Sequence, residues 1–376
     1  LLPFTDVSRE AGIRFEGFSL GLALSDLNLD GWPDIYVAND HLSNDLLYIN
    51  QGPDEEGKVT FANRIGDMLT SQSYYSMGVT IKDLSGDGHN DIFTLDMLPE
   101  RNDRRQKMVM AMSLNKFMLA EEYGFQNQFM KNTLQVNMGR GADGLPLFSE
   151  AAQLAGIHNT DWSWGCVAAD FDHDGHNDLI IANGYARDIT DMDFVSYQKK
   201  ASYFETDQYS REYRTALQAQ PPILLPNVAF RNRGDLQFED VSAAWGFAEP
   251  DLSSGIAYSD LDLDGDLDLV VNHLNRPASI YENTLESGIR HSVKIQPLTS
   301  TGAPAIGVRL RLFAGGKRYA AELYPVQGFQ SSQDPTIHIG LGETALIDSV
   351  LITWPDGYHE RYYELLADQT YPWKKN

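Results

Sequence analysis

The sequence predicts an all-β chain, and three observations carry that prediction. One acidic phrase, D-x-[DNS]-x-D-G-x-x-D, occurs four times. A phenylalanine stands 22 residues before the first aspartate of each copy, at Phe4, Phe61, Phe148 and Phe238. The stretches flanking each copy are small and apolar before it and rich in β-formers after it. A spacing held through four copies marks one structural unit repeated. Four short strands in about 57 residues is the size of one β-propeller blade, and the chain reads as four consecutive blades.

Within a unit the elements follow in order. "MGVTIKD", "GCVAAD" and "GIAYSD" lead into the acidic turn, and "DIYVAND", "DIFTLD", "DLIIANG" and "DLDLVVNH" leave it. Strand, turn, strand is the reading. A later phrase ("LLYINQG", "LQVNMG", "AFRNRG", "IYENT") and the phenylalanine phrase ("FTDVSREAG" in the first unit) supply two more strands. Units two and three are lengthened by insertions at about 98–131 and 186–226. Both lose the period-2 pattern and gain helix formers, Met and Tyr, which predicts one or two helices each on one rim. They either pack on one another or form a partner surface, to which flexible thioethers are suited. Residues 1–285 thus form the blade region. From 286 to 376 alternating segments with a Gly315-Gly316 hairpin turn predict a separate, sandwich-like β-domain.

The acidic phrases are candidate calcium sites. Calcium takes six to eight oxygens from carboxylates, carbonyls and water. Positions 1, 3, 5 and 9 offer side chains, position 7 its carbonyl, and the glycine permits the bend. Loop one supplies Asp26, Asn28, Asp30, Trp32 and Asp34. Loop two supplies Asp83, Ser85, Asp87, His89 and Asp91. Loop three supplies Asp170, Asp172, Asp174, His176 and Asp178, and loop four Asp260, Asp262, Asp264, Asp266 and Asp268. About four Ca²⁺, one per loop, are expected, with loops one and two the easier to strip because each lacks the second acid. His89 and His176 are expected to expose their side chains. No glutamate stands at position 12 and strands flank the loops, which argues against an EF-hand. Solvated turns without metal would crowd like charges. A catalytic carboxylate pair needs two acids in different environments, whereas these loops recur as equals.

Charge narrows the function further. Fifty-three acids against 29 bases give −24, which argues against nucleic acid and against an anionic membrane surface. No stretch is long and apolar enough to span a bilayer. The single cysteine, Cys166, forms no internal disulfide and reads as core. "GFSLG" around Ser19 has the G-x-S-x-G spacing but no strand-to-helix context. The histidines show no zinc spacing. Asp188, Asp191 and Asp193 could form a further polar or metal site, or Thr190 or Asp191 could cap a helix.

The four loops resemble the FG-GAP/VCBS repeats of integrin-α-type propellers. "GVRLRL", "GFQSSQDPTIHIGLG" and "DSVLITWPDG" resemble the ASPIC/UnbV domain. The combination is similar to the cartilage-acidic-protein-like family, common among bacterial surface proteins. That resemblance implies calcium at the loop positions above, a seven-bladed ring with further blades preceding residue 1 or supplied separately, and an extracellular, outer-membrane-associated setting. It also implies a non-catalytic binding or assembly role, with an outer-membrane nutrient-uptake complex, other surface proteins or glycans as partners. The competing expectations are a glycan-active enzyme with its site on the propeller axis, and an integrin-like adhesin.

Overall fold

The computed structural model describes residues 4–108, 114–142, 144–201, 207–285 and 288–375. Four antiparallel sheets follow one another along the chain, each hydrogen-bonded in sequence order. The first contains Phe18–Ser25, Asp34–Asp40, Leu46–Pro53 and Val59–Asn63. The second contains Val79–Lys82, Asp91–Thr94, Thr133–Arg140 and Pro146–Glu150, and the third Ser163–Ala169, Asp178–Asn183, Val228–Asn232 and Phe238–Asp240. The fourth has three strands, Ser253–Ser259, Asp268–His273 and Ser279–Tyr281.

Two expectations are corrected here. The phenylalanine phrase closes a blade instead of opening one: Phe61, Phe148 and Phe238 lie on the fourth strand of the sheet whose loop precedes them. The Phe4 phrase forms no strand, and Phe4 is fully exposed at 105%. The fourth unit accordingly shows three strands where four were expected. A repeat fixes spacing but not phase, so either assignment satisfied the sequence.

The blades pack through their first strands, and glycine makes that possible. Gly21, Gly78, Gly165 and Gly255 each stand five residues before the first aspartate of a loop. A Cβ on Gly21 would overlap the carbonyl of Met77, one on Gly78 that of Trp164, and one on Gly165 would lie 2.7 Å from that of Ser254. Each blade thus sets a backbone carbonyl where its predecessor lacks a side chain. At Gly255 the neighbours are instead Ser331 Oγ and the Phe329 carbonyl, from the C-terminal region. Between these strands lies core such as Leu84, Phe93, Leu134, Cys166 and Leu179. Cys166 is fully buried, as expected, and burial pushes its thiol pKa up.

Each insertion forms two helices: Asn102–Lys107 and Leu114–Glu122, then Met192–Ala201 and Asp207–Ala219. The insertions meet. Met108 bridges Asp191, and Arg104 pairs with Asp161 at 2.6 Å and Asp188 at 3.1 Å. Asp191 accepts the N–H groups of Asp193 and Phe194, so capping accounts for it. Ser19 lies in a strand and bonds Asn39. No helix among the described residues is long and apolar enough to cross a membrane.

The C-terminal region is a two-sheet sandwich, as its alternation predicts. One sheet orders Ile337–Gly342, His291–Leu298 and Thr370–Lys374; the other orders Lys317–Glu322, Arg309–Ala314, Leu346–Thr353 and His359–Leu366. Gly315 and Gly316 turn the hairpin with φ of 57° and 77°. The sandwich sits on the acidic-loop ends of the blades. Its segment 325–334 runs along their first strands: Gly328 bridges Val79, Phe329 packs on Trp164 with ring centroids 5.0 Å apart, Gln333 accepts the Tyr258 N–H at 2.9 Å, and Asp334 accepts from Ser259.

Two outcomes follow from these contacts. Gly78→Val drives a side chain into the Trp164 carbonyl, and a loss of about 1–3 kcal/mol or more in urea unfolding is expected. Asp45 is buried against Tyr36 and Ser76, and burial raises its pKa to about 7. An acid with a raised folded pKa stabilises the fold below its unfolded pKa and loses that contribution as pH rises through the folded value. Stability measured from pH 4 to 8 should therefore fall more steeply in the native protein than in Asp45→Asn.

Candidate metal centre

All four loops adopt one backbone path. Position 4 has positive φ in each (Leu29 56°, Gly86 80°, His173 58°, Leu263 66°), and so does the glycine at position 6, from 91° at Gly88 to 112° at Gly265. Two left-handed residues in so short a span curl the chain and aim successive N–H groups inward. In loops one to three the position-1 carboxylates receive them. Asp26 accepts from Asp30 and Gly31, Asp83 from Asp87 and Gly88, and Asp170 from Asp174 and Gly175, all at 2.8–3.2 Å.

Position 9 has a backbone role besides the ligand role expected of it. One oxygen of Asp34, Asp91, Asp178 and Asp268 accepts the N–H of position 2 (Leu27, Leu84, Phe171, Leu261). The other accepts the N–H of Asn50, Asn137, Asn232 and Asn283 at 2.8–2.9 Å. This carboxylate first ties the loop to its own sheet. The asparagines then donate from Nδ2 to loop carbonyls, and three of them also reach the preceding blade. Asn137 reaches Leu27, Asn232 reaches Leu84, and Asn283 reaches Phe171. Sequence reasoning missed these residues, although the shared Asn in "LYIN", "LQVN", "AFRN" and "IYEN" was the signal.

Carboxylates converge most closely at loops three and four. Ligand oxygens of Asp170, Asp172 and Asp174 lie within 4.8 Å of one another, as do those of Asp260, Asp262 and Asp268. Asp178 stands outside the first group and Asp264 outside the second. Burial, then the charges of Asp174 and Asp172, push Asp170 well above the ordinary carboxylate range. Burial chiefly raises Asp91 to about 7 and Asp34 to about 8. Asp266 rises to about 7 through burial and the Asp264 charge. These groups want a cation. Buried oxygens without a hydrogen-bond partner say the same: Ser85 Oγ in loop two, and Asp260 Oδ1 and Asp266 Oδ1 in loop four. Clustered hard oxygens with unsatisfied lone pairs fit Ca²⁺.

The position-7 residues also differ from expectation. His89 and His176 are half-buried, and a Cβ on Gly234 would lie 3.1 Å from the His176 ring. Trp32 is exposed, with its indole beside Gly52.

The sandwich brings cations to every loop. Arg309 pairs with Asp26 at 2.6 Å, Arg318 donates to the Asp87 carbonyl, Arg290 pairs with Asp172 at 2.9 Å, and Lys294 pairs with Asp260. Arg231, from the third blade itself, binds Asp172 and Asp174. Over loop three the sandwich comes so close that a Cβ on Gly340 would overlap the Asp170 carboxylate.

The fold and these loops define a repeat protein of acidic-loop blades capped by a β-sandwich. Comparison with known proteins gives the particulars. The FG-GAP-like repeat family matches residues 26–94, and the ASPIC and UnbV family matches residues 298–376. Cartilage acidic protein 1 of Mus musculus is 26% identical over 260 residues, covering 61% of this chain and 39% of that protein. The Homo sapiens protein is 26% identical over 261 residues, covering 61% and 38%, and the Xenopus tropicalis protein gives 26% over 262. The chain thus spans about two fifths of the length of these relatives. It has the FG-GAP plus ASPIC/UnbV architecture. Both matched families are repeat and adhesion-type modules, not enzyme families.

The two roles of the loop acids separate by mutation. Asp178→Asn removes an acceptor of backbone N–H groups and should destabilise by about 1–3 kcal/mol even in chelator. Asp174→Asn should lower calcium affinity and, in chelator, cost less than Asp178→Asn, since it weakens only the Arg231 pair and one contact within the loop. Thermal melts with calcium and with EGTA distinguish them.

Proposed function

We propose that the chain is a non-catalytic, calcium-stabilised extracellular binding module whose partner surface is the face opposite the acidic loops. The observation that carries this reading is the placement of the sandwich. It covers the loop ends of the blades, and segment 325–334 lines the first strands where an axial active site would lie. The loops then serve the fold, by holding strand ends and neighbouring blades together, and the opposite ends of the blades are left for recognition.

That opposite face has the composition of a recognition surface. Phe18 and His41 are exposed and in edge contact, His41 meets Tyr75 at 5.2 Å, and half-buried Tyr185 stacks over the buried Trp162 at 3.8 Å. The joined helical insertions border it and expose Leu114, Met118, Leu119 and Met192. Aromatic and Met side chains over a rigid frame suit protein or glycan contacts. A surface protein of an outer-membrane uptake complex is the partner class that the resemblance suggests.

Calcium removal with EGTA should lower the melting temperature, and elemental analysis should find calcium in the untreated protein. An unchanged melt with no bound metal refutes the calcium role. Partner capture from the native membrane should weaken with Met118→Asp or Phe18→Asp and persist with Lys317→Ala on the loop side; the reverse ranking refutes the assigned face.

A further inference from the structure

We infer that loop one takes its cation from the protein: Arg309 of the C-terminal sandwich is its resident positive charge, and only loops two, three and four take calcium. The inference rests on the calcium reading above and changes what that reading says of the first loop.

Four observations bear on loop one, and the first two set it apart from every copy. Its position-1 carboxylate, on Asp26, is 3% exposed and meets the Arg309 guanidinium at 2.6 Å. Position 3 is Asn28, whose Nδ2 donates to Asp30 at 2.8 Å and whose Oδ1 accepts the Asp30 N–H at 3.1 Å. An amide donor therefore stands where loops three and four have carboxylates. Among the described residues, loops one and three leave no buried side-chain oxygen without a partner, whereas loop two leaves Ser85 Oγ and loop four leaves Asp260 Oδ1 and Asp266 Oδ1. Its acids, like those of loop two, form no convergent group of the kind seen at loops three and four.

Cations near the other loops leave room for a metal. Arg231 and Arg290 engage Asp172 and Asp174 and leave Asp170 to backbone N–H groups. Lys294 reaches Asp260, yet Asp260 Oδ1 still lacks a partner. Arg318 meets only a carbonyl of loop two. Arg309, by contrast, is locked onto its loop. It sits opposite Glu322 across a hairpin, and Glu322 accepts from the Asp26 N–H, the Ser25 hydroxyl and Asn90. A guanidinium has five fixed donors and no vacant coordination. While it holds Asp26, the loop cannot offer calcium its first ligand.

The test counts calcium bound per molecule of the intact chain, by elemental analysis after equilibration in calcium and desalting. Asp30→Asn alters an exposed residue and should leave the count unchanged, whereas Asp87→Asn, Asp174→Asn and Asp262→Asn should each remove one ion. Arg309→Met should melt earlier in EGTA, recover in calcium and carry one ion more. Loss of an ion from Asp30→Asn overturns the inference, as does a folded Arg309→Met with an unchanged count. Should Arg309→Met not fold, Asp30→Asn decides alone. A native protein without calcium instead removes the underlying calcium reading.

Discussion

The structure depends on one electrostatic constraint: acidic turns stacked at one end of the blades must be neutralised where water is scarce. Asp170 and Asp178 are nearly or wholly buried, with other aspartates beside them. Burial and like charge both act against the ionised form. Three devices answer the same demand. Curled backbone supplies N–H groups, the sandwich supplies Arg309, Arg290 and Lys294, and the remaining convergent oxygens suit a divalent cation. None suffices alone. N–H groups bring partial charge only, and the cations reach some carboxylates but leave Asp260 Oδ1 bare.

The same turns also carry mechanical coupling between blades. The position-9 aspartate holds an asparagine backbone in its own sheet, and in blades two to four that asparagine's side chain reaches a carbonyl one blade back. At the inner end, glycines set five residues before each loop admit the next blade's carbonyl. A blade is thus tied to its neighbour at two heights. Cation loss at one loop should loosen the asparagine link first, because the glycine contacts do not depend on charge.

Much of this was legible in the sequence, for a physical reason. Loop, strand and hairpin signals are local, so the acidic phrase, the 22-residue step and Gly315-Gly316 gave blades, loops and sandwich. The insertions read as helices because their period changes. Other features required the folded chain. Blade phase is invisible to a repeat, so by sequence the phenylalanine phrase fits the sheet before it or the sheet after it equally well. The half-burial of His176 depends on Gly234, far along the chain. The docking of the sandwich on the loops joins residues as distant as Ser25 and Glu322, and no local pattern records it.

That docking changes how the acidic loops should be understood. Read as sequence, four copies of one phrase invite four equal sites. Read in the fold, the copies face different neighbours, and the neighbours decide their chemistry. Loop one meets an Arg–Glu pair across a hairpin, loop three meets Gly340 and two guanidinium groups, and loop four meets a lysine that satisfies part of its charge. A sandwich bound in this way is no passive appendage. Its cations and the loop carboxylates share one electrostatic balance, so anything that changes cation occupancy at the loops also changes how firmly the sandwich is held. Because such coupling is reciprocal, the position of the sandwich in turn sets how strongly the loop carboxylates attract any cation.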